Sequence, residues 1–150
     1  MINWFECGVS YDKLMENGTT KRVTEPYLVD AMSFTEAEAR IIEELKPFIT
    51  GEFLIKTIKR ANISELFFFS EGDRYFKAKT QFITLDEKSG SEKKNSVNMV
   101  VQASDIDQAH EVLKKGMAGT MASWICASMT ETQIMDVFPY SEDGKKVITL

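Results

Sequence analysis

The chain repeats itself, and no other feature limits its fold so strongly. "WFECGVSY" (residues 4–11) and "YFKAKTQF" (75–82) place Trp4 on Tyr75, Phe5 on Phe76 and Tyr11 on Phe82 at a spacing of 71 residues. "NGTTKR" (17–22) and "SGSEKK" (89–94) put Gly18 on Gly90 at a spacing of 72. "YLVDAMSFTEAEA" (27–39) meets "MVVQASDIDQAHE" (99–111) at the same spacing, and "FLIKTIKRANISELF" (53–67) meets "WICASMTETQIMDVF" (124–138) at 71 again. Identity is low, but the spacing drifts by one residue over four segments, and turns, helix starts and hydrophobic phase coincide. The expectation is a tandem duplication with repeats at about 4–69 and 75–140.

Each repeat reads strand, turn, strand, helix, long strand. Phe5, Cys7, Val9 and Tyr11 alternate with Glu6, Gly8 and Ser10, the period of a half-buried strand. Asn17-Gly18 marks a turn, because both residues accept positive φ. Val23, Tyr27, Val29 and Ala31 form the second strand, in which Pro26 predicts an edge or a strand start. Ser33 with Glu36, and Asp105 with Gln108, predict capping boxes. The helical stripes are Ala37, Ile41, Leu45 and Phe48 in the first repeat, and Ala109, Leu113, Met117 and Met121 in the second. Pro47 and the Gly116/Gly119 pair predict the helix ends. The third strand is expected to bend or break near Ala61-Asn62 and near Thr132-Gln133.

The predicted fold class is therefore α+β: two ββαβ(β) units forming one compact domain (residues 1–150), with antiparallel sheet and two helices. A lone repeat of this length would leave a sheet face and strand edges bare, so the two are expected to share a sheet or to pair. "SEDGKKVITL" (141–150) lies outside the repeat, as a tail or one extra strand.

"WFECGVSYDK", "VTEPYLVDAMSFTEAEARIIEE", "GEFLIKTIKRANISELF", "FITLDEKSG" and "ETQIMDVFPY" together resemble an uncharacterised family of unknown function found in Bacteroidetes and in phages that infect them. The resemblance runs from residue 2 to about 140. It implies a small cytoplasmic or phage-encoded protein and supplies no activity, cofactor or site residue. Gly8 departs from the longer polar side chain that the resemblance leads one to expect.

Chemistry is sparse. The only histidine, His110, lies off the apolar stripe of its helix, which predicts a solvated side chain rather than a base or a ligand. One His and two separated cysteines, Cys7 and Cys126, cannot make a soft zinc site, and no P-loop or calcium loop is present. Glu36 reads as a capping residue, and Glu38, Glu43 and Glu44 as a solvated helix face, since their partners in the second repeat are His110, Lys115 and Gly116. The expectation is no enzyme, no cofactor and no metal. No apolar run approaches the roughly 20 residues of a membrane span. The first residues lack a basic then apolar leader pattern, and the expected location is cytoplasmic.

Charge is uneven. Residues 53–94 carry nine Lys/Arg against six Asp/Glu, inside a chain with a formal net charge of −5. In "YFKAKTQF", alternation sets Tyr75, Lys77, Lys79 and Gln81 on one face and Phe76, Ala78 and Phe82 on the other. A ring beside two ammonium groups is the equipment of a single-stranded nucleic-acid platform, where the ring stacks on a base and the amines take phosphates. Trp4 is the repeat-mate of Tyr75, and Lys56, Lys59 and Arg60 extend the set. Against this, lysine on a strand face also simply guards against edge pairing. The primary expectation is a non-enzymatic accessory protein that binds single-stranded DNA or RNA through Trp4, Lys56, Lys59, Arg60, Tyr75, Lys77 and Lys79. The alternative is a protein-interaction or homo-oligomerisation module, with the exposed sheet or "FFFSEGDRYF" (67–76) as its contact. A third reading, the least favoured, is an enzyme or small-ligand binder with a cleft between the repeats, towards which Tyr27 and Asp30 point.

Overall fold

The computed structural model describes residues 3–140 and 145–150. In chain order the elements are β1 (Asn3–Leu14), β2 (Thr20–Ala31), α1 (Phe34–Leu45), β3 (Phe53–Ala61), β4 (Glu65–Phe68), β5 (Arg74–Leu85), β6 (Glu92–Ala103), α2 (Ile106–Gly116), β7 (Ser123–Glu131), β8 (Val137–Phe138) and β9 (Lys146–Val147). They form an α+β structure with two sheets, ordered β3-β1-β2-β8 and β7-β5-β6-β4-β9. The chain divides into two units: one runs to Ala61 and resumes at Gln133, and the other holds Asn62–Thr132 and Lys145–Leu150.

In the first unit β1 and β2 form an antiparallel hairpin with Phe5 opposite Val29 and Cys7 opposite Tyr27. β3 adds antiparallel on the far side of β1. Alternation sends Phe5, Cys7 and Val9 to one face, where they pack with Ala37, Ile41 and Leu45 of α1. Each large aliphatic side chain buried this way is worth about 1.5–3 kcal/mol. Ser33 caps α1, its Oγ accepting from the Glu36 N–H at 3.1 Å. Glu36 does not reach back, and its Oε1 is buried without a hydrogen-bond partner among the described residues. The helix ends at Leu45, before Pro47, so Phe48 falls beyond the stripe and is 73% exposed.

The second unit repeats this plan. Phe76, Ala78, Met99 and Val101 pack with Ala109, Val112, Leu113 and Met117. Asp105 caps α2 with Oδ1 accepting from the Gln108 N–H at 2.7 Å, and Gln108 Oε1 accepts from Ser104 N–H, one residue before the cap. Met121 lies past the helix end and is fully exposed. Gly116 serves packing: a Cβ there would stand 2.6 Å from the Phe67 ring.

The two units match in detail. The ladder shifts register between Gly8 and Val9 in one and between Lys79 and Thr80 in the other, leaving Lys56 and Ala127 as the extra residues. Gly18 and Gly90 both take positive φ. Met135 N–H donates to Pro26 O at 2.9 Å, and Ser64 N–H to Asn98 O at 2.8 Å. These positions stand in the spacing of 71 and 72 read from the sequence.

The third strand of each half breaks where expected, but its continuation leaves the unit. β4 follows β3 and pairs parallel with β6, Leu66 opposite Val100. β8 follows β7 and pairs parallel with β2, Leu28 opposite Val137. The last strand of each half thus completes the sheet built by the other half. The long strands are antiparallel as expected, while these short additions make both sheets mixed. Pro26 fits inside β2 because its nitrogen lies on the β8 side, where β8 has not yet begun. The tail contributes β9, parallel to β4, and residues 141–144 of that expected strand lie outside the described residues.

Candidate functional site

The seven residues expected to bind nucleic acid divide between the units. Trp4, Lys56, Lys59 and Arg60 belong to the first; Tyr75, Lys77 and Lys79 belong to the second.

In the first unit they do not make a basic surface. Lys59 stands directly opposite Glu6 in the ladder and pairs with it at 3.2 Å. Arg60 turns to the helix side, its guanidinium 5.5 Å from the Phe5 ring and 5.4 Å from the Phe34 ring. Lys56 occupies the bulge, and Trp4 is half-buried opposite Asp30. Arg22 and Asp12 pair on the face that carries Glu6. Lys59 and Arg22 thus each face an acid on this sheet, while Lys56 and Arg60 have no ion pair among the described residues.

In the second unit Lys77 and Lys79 project from one face of β5 and are exposed, as alternation requires. Tyr75, on the same face, is not: it is 4% exposed. The cause is β4. This strand lies beside β6 and puts Leu66 and Phe68 on the face that holds Tyr75 and Val100, and all four are buried. That end of the face is closed and apolar, so the Tyr75 ring cannot take a base. The expected aromatic-plus-lysine platform is corrected to lysines alone. Within "FFFSEGDRYF" the aromatic residues Phe67, Phe68, Phe69, Tyr75 and Phe76 are buried, while Ser70, Glu71, Asp73 and Arg74 are exposed.

One basic residue of this face escaped the sequence reading. Lys94 stands opposite Ile83, in register with Lys77 and Lys79 on the β5 face, and is exposed. Finding it needed the β5–β6 register, which the Gly90 turn sets. Among the described residues none of the three lysines has an ion pair. Their neighbours are neutral: Asn98 and Ser128 flank Lys79, Thr130 flanks Lys77, and Gln81 donates to Ser96 at 3.3 Å.

The edge beside this face is β7. It is nine residues long, "SWICASMTE", with no charge before Glu131, and Ile125 on it is 41% exposed. β3, the corresponding edge of the first unit, carries Lys56, Lys59 and Arg60, all exposed. Charged side chains guard an edge against adding a strand, so β3 is guarded and β7 is open.

Tyr27 and Asp30, the residues of the third reading, both have partners within the first unit. The Tyr27 ring stacks on Phe138 at 6.2 Å, and Arg40 engages Asp30 at 3.1 Å. Burial raises the Asp30 carboxyl, against the opposing pull of Arg40. Burial, with Glu6 nearby, pushes the Cys7 thiol up to about 11. Among the described residues no group of three His, Cys, Asp or Glu is placed to hold a metal. A shallow groove of about 520 Å³ runs between α1 and β3, lined by Glu38, Ile42, Glu52 and Leu54. No described helix is long and apolar enough to cross a membrane.

Comparison with curated proteins found no match, and comparison with solved structures found none. A family model, in contrast, matches nearly the whole chain. Over residues 3–140 the chain belongs to the family described as Domain of unknown function (DUF4494).

Proposed function

We propose that this chain is a non-enzymatic protein-interaction module whose contact is the open edge and lysine face of its second sheet. The observation that supports this reading is the contrast between two corresponding edges. β3 carries three cations, whereas β7 carries none, so the guard normally kept on a long edge is missing from one of them. An edge with unpaired N–H and C=O groups accepts a strand from another protein. Adding edge charge tests this. Ala127→Lys with Thr130→Lys writes the β3 pattern onto β7, since 127 and 130 correspond to Lys56 and Lys59. Proteins captured from the native host by the unmodified chain are expected to be lost from this variant at equal fold stability. Equal capture by both overturns the reading.

A second reading keeps single-stranded DNA or RNA as the ligand, supported by exposed Lys77, Lys79 and Lys94, which have no ion pair among the described residues. It now rests on phosphate contacts without a stacking ring. Fluorescence anisotropy with single-stranded oligonucleotides at low salt tests it, and no binding at tens of micromolar, the weak end of non-specific affinity, removes it.

The matched registers, caps and bulges of the two units also support an origin by tandem duplication. The cytoplasm, in bacteria or phage-infected cells, is the proposed setting.

A further inference from the structure

We infer that the occupant of the β7 edge is an extended acidic segment of a partner protein, added as one more strand with its carboxylates on the lysine side. This rests on the interaction reading above and adds to it the chemistry and the pose of the partner.

Backbone direction comes first. Thr132 N–H donates to Tyr75 O at 2.9 Å. N–H groups alternate along an antiparallel strand, so those of Met129 and Glu131 point away from β5. They offer an incoming strand its first ladder bonds.

Charge selects the partner. A strand beside β7 lies two strand spacings from β5, roughly 10 Å. The β7 residues in between on that face are small: Ser128 beside Lys79 and Thr130 beside Lys77. A lysine side chain can lie across them, and a Glu or Asp on the added strand can meet it from the other side. Lys77 and Lys79 are two residues apart, so the carboxylates belong at alternate positions of the partner. Towards the other end of β7 the residue that an incoming strand meets on this face is the exposed Ile125, with Gln81 and half-buried Ile83 behind it on β5 and Lys94 further away on β6. The segment therefore reads acid, any, acid at one end and carries an aliphatic side chain at the other. A basic or neutral strand would leave Lys77 and Lys79 unpaired beside it.

The experiment uses the full chain and three synthetic peptides as long as β7: one with alternating acids and a terminal aliphatic residue, one with the acids replaced by Gln, and one with the same acids but Pro at alternate positions. Binding is read by titration, and amide hydrogen exchange reads Met129 and Glu131. The acidic peptide is expected to bind, to slow exchange at both amides, and to lose about tenfold in affinity to Lys77→Glu/Lys79→Glu, both exposed positions. If the Gln peptide binds and protects β7 equally, the acidic assignment falls and the interaction reading stands. If the Pro peptide binds equally well, charge alone attracts and the added strand is wrong. If no peptide binds while single-stranded DNA does, both this inference and the interaction reading fail.

Discussion

Arg40 of α1 holds Asp30 at the end of β2, Nη1 donating to Oδ1 at 3.1 Å and also to the Asp30 carbonyl. The same guanidinium donates through Nη2 to the Pro139 carbonyl at 3.2 Å and lies 5.2 Å from the Tyr140 ring. It thereby ties the segment after β8 to the sheet that β8 completes. In the second unit the residues in register with Asp30 and Arg40 are Gln102 and Val112; Ser104 Oγ donates to the Glu71 carbonyl at 3.3 Å, and the rest of the task falls to Gln102. Its Oε1 accepts from Phe69 N–H at 3.1 Å and its Nε2 donates to Gly72 O at 3.0 Å, just after β4. Two different chemistries fasten the two incoming strands.

Arg40→Ala is expected to cost about 2–3 kcal/mol, because it strands a largely buried carboxylate and frees the Pro139 carbonyl. Arg40→Lys recovers less than half, since an ammonium lacks the planar fork that serves both acceptors. Equilibrium denaturation measures both.

Gly72→Ala is expected to destabilise by roughly 2 kcal/mol or more. A Cβ at this position would stand 2.6 Å from both Cα and N of Ala103, which are backbone and cannot swing aside. The same change at Gly8 meets the Thr57 side chain, at 2.4 Å from Oγ1, which can rotate, and is expected to cost less. Paired thermal melts rank the two.

Cys7 is expected to resist thiol reagents at pH 8 until the protein unfolds, while the half-buried Cys126 reacts slowly in the folded state. The folded Cys7 value of about 11 lies above the ordinary 9.0. Above pH 9 the unfolded chain loses this proton more readily than the folded one. The contribution of Cys7 to stability is therefore present below pH 9 and drains away as pH rises towards 11. Denaturation midpoints of the native chain and Cys7→Ala, compared across that range, measure it.

Much of the fold was legible because it is local. Alternation placed β1 and β5, Ser33 and Asp105 gave the helix starts, and the breaks after Ala61 and near Thr132 fell where the pattern faltered. Phe48 and Met121 were misplaced because a periodic stripe does not say where its helix stops. The destinations of β4 and β8 were not legible. A short strand carries no mark of the edge it will join, and that choice depends on residues far along the chain. Tyr75 shows the consequence: its face was read correctly from parity, yet its burial depends on β4, which parity cannot place. Lys77 and Lys79 stayed exposed because their strand neighbours, Thr130, Ser128 and Asn98, are small or polar.

Amide hydrogen exchange at Met129, with and without the alternating acidic peptide, tests the central claim most directly. The open β7 edge predicts fast exchange in the free chain and slow exchange in the complex. It also predicts that this slowing is largely lost in Lys77→Glu/Lys79→Glu. Exchange at Met129 that is already slow in the free chain, or that stays unchanged by the bound peptide, would contradict it.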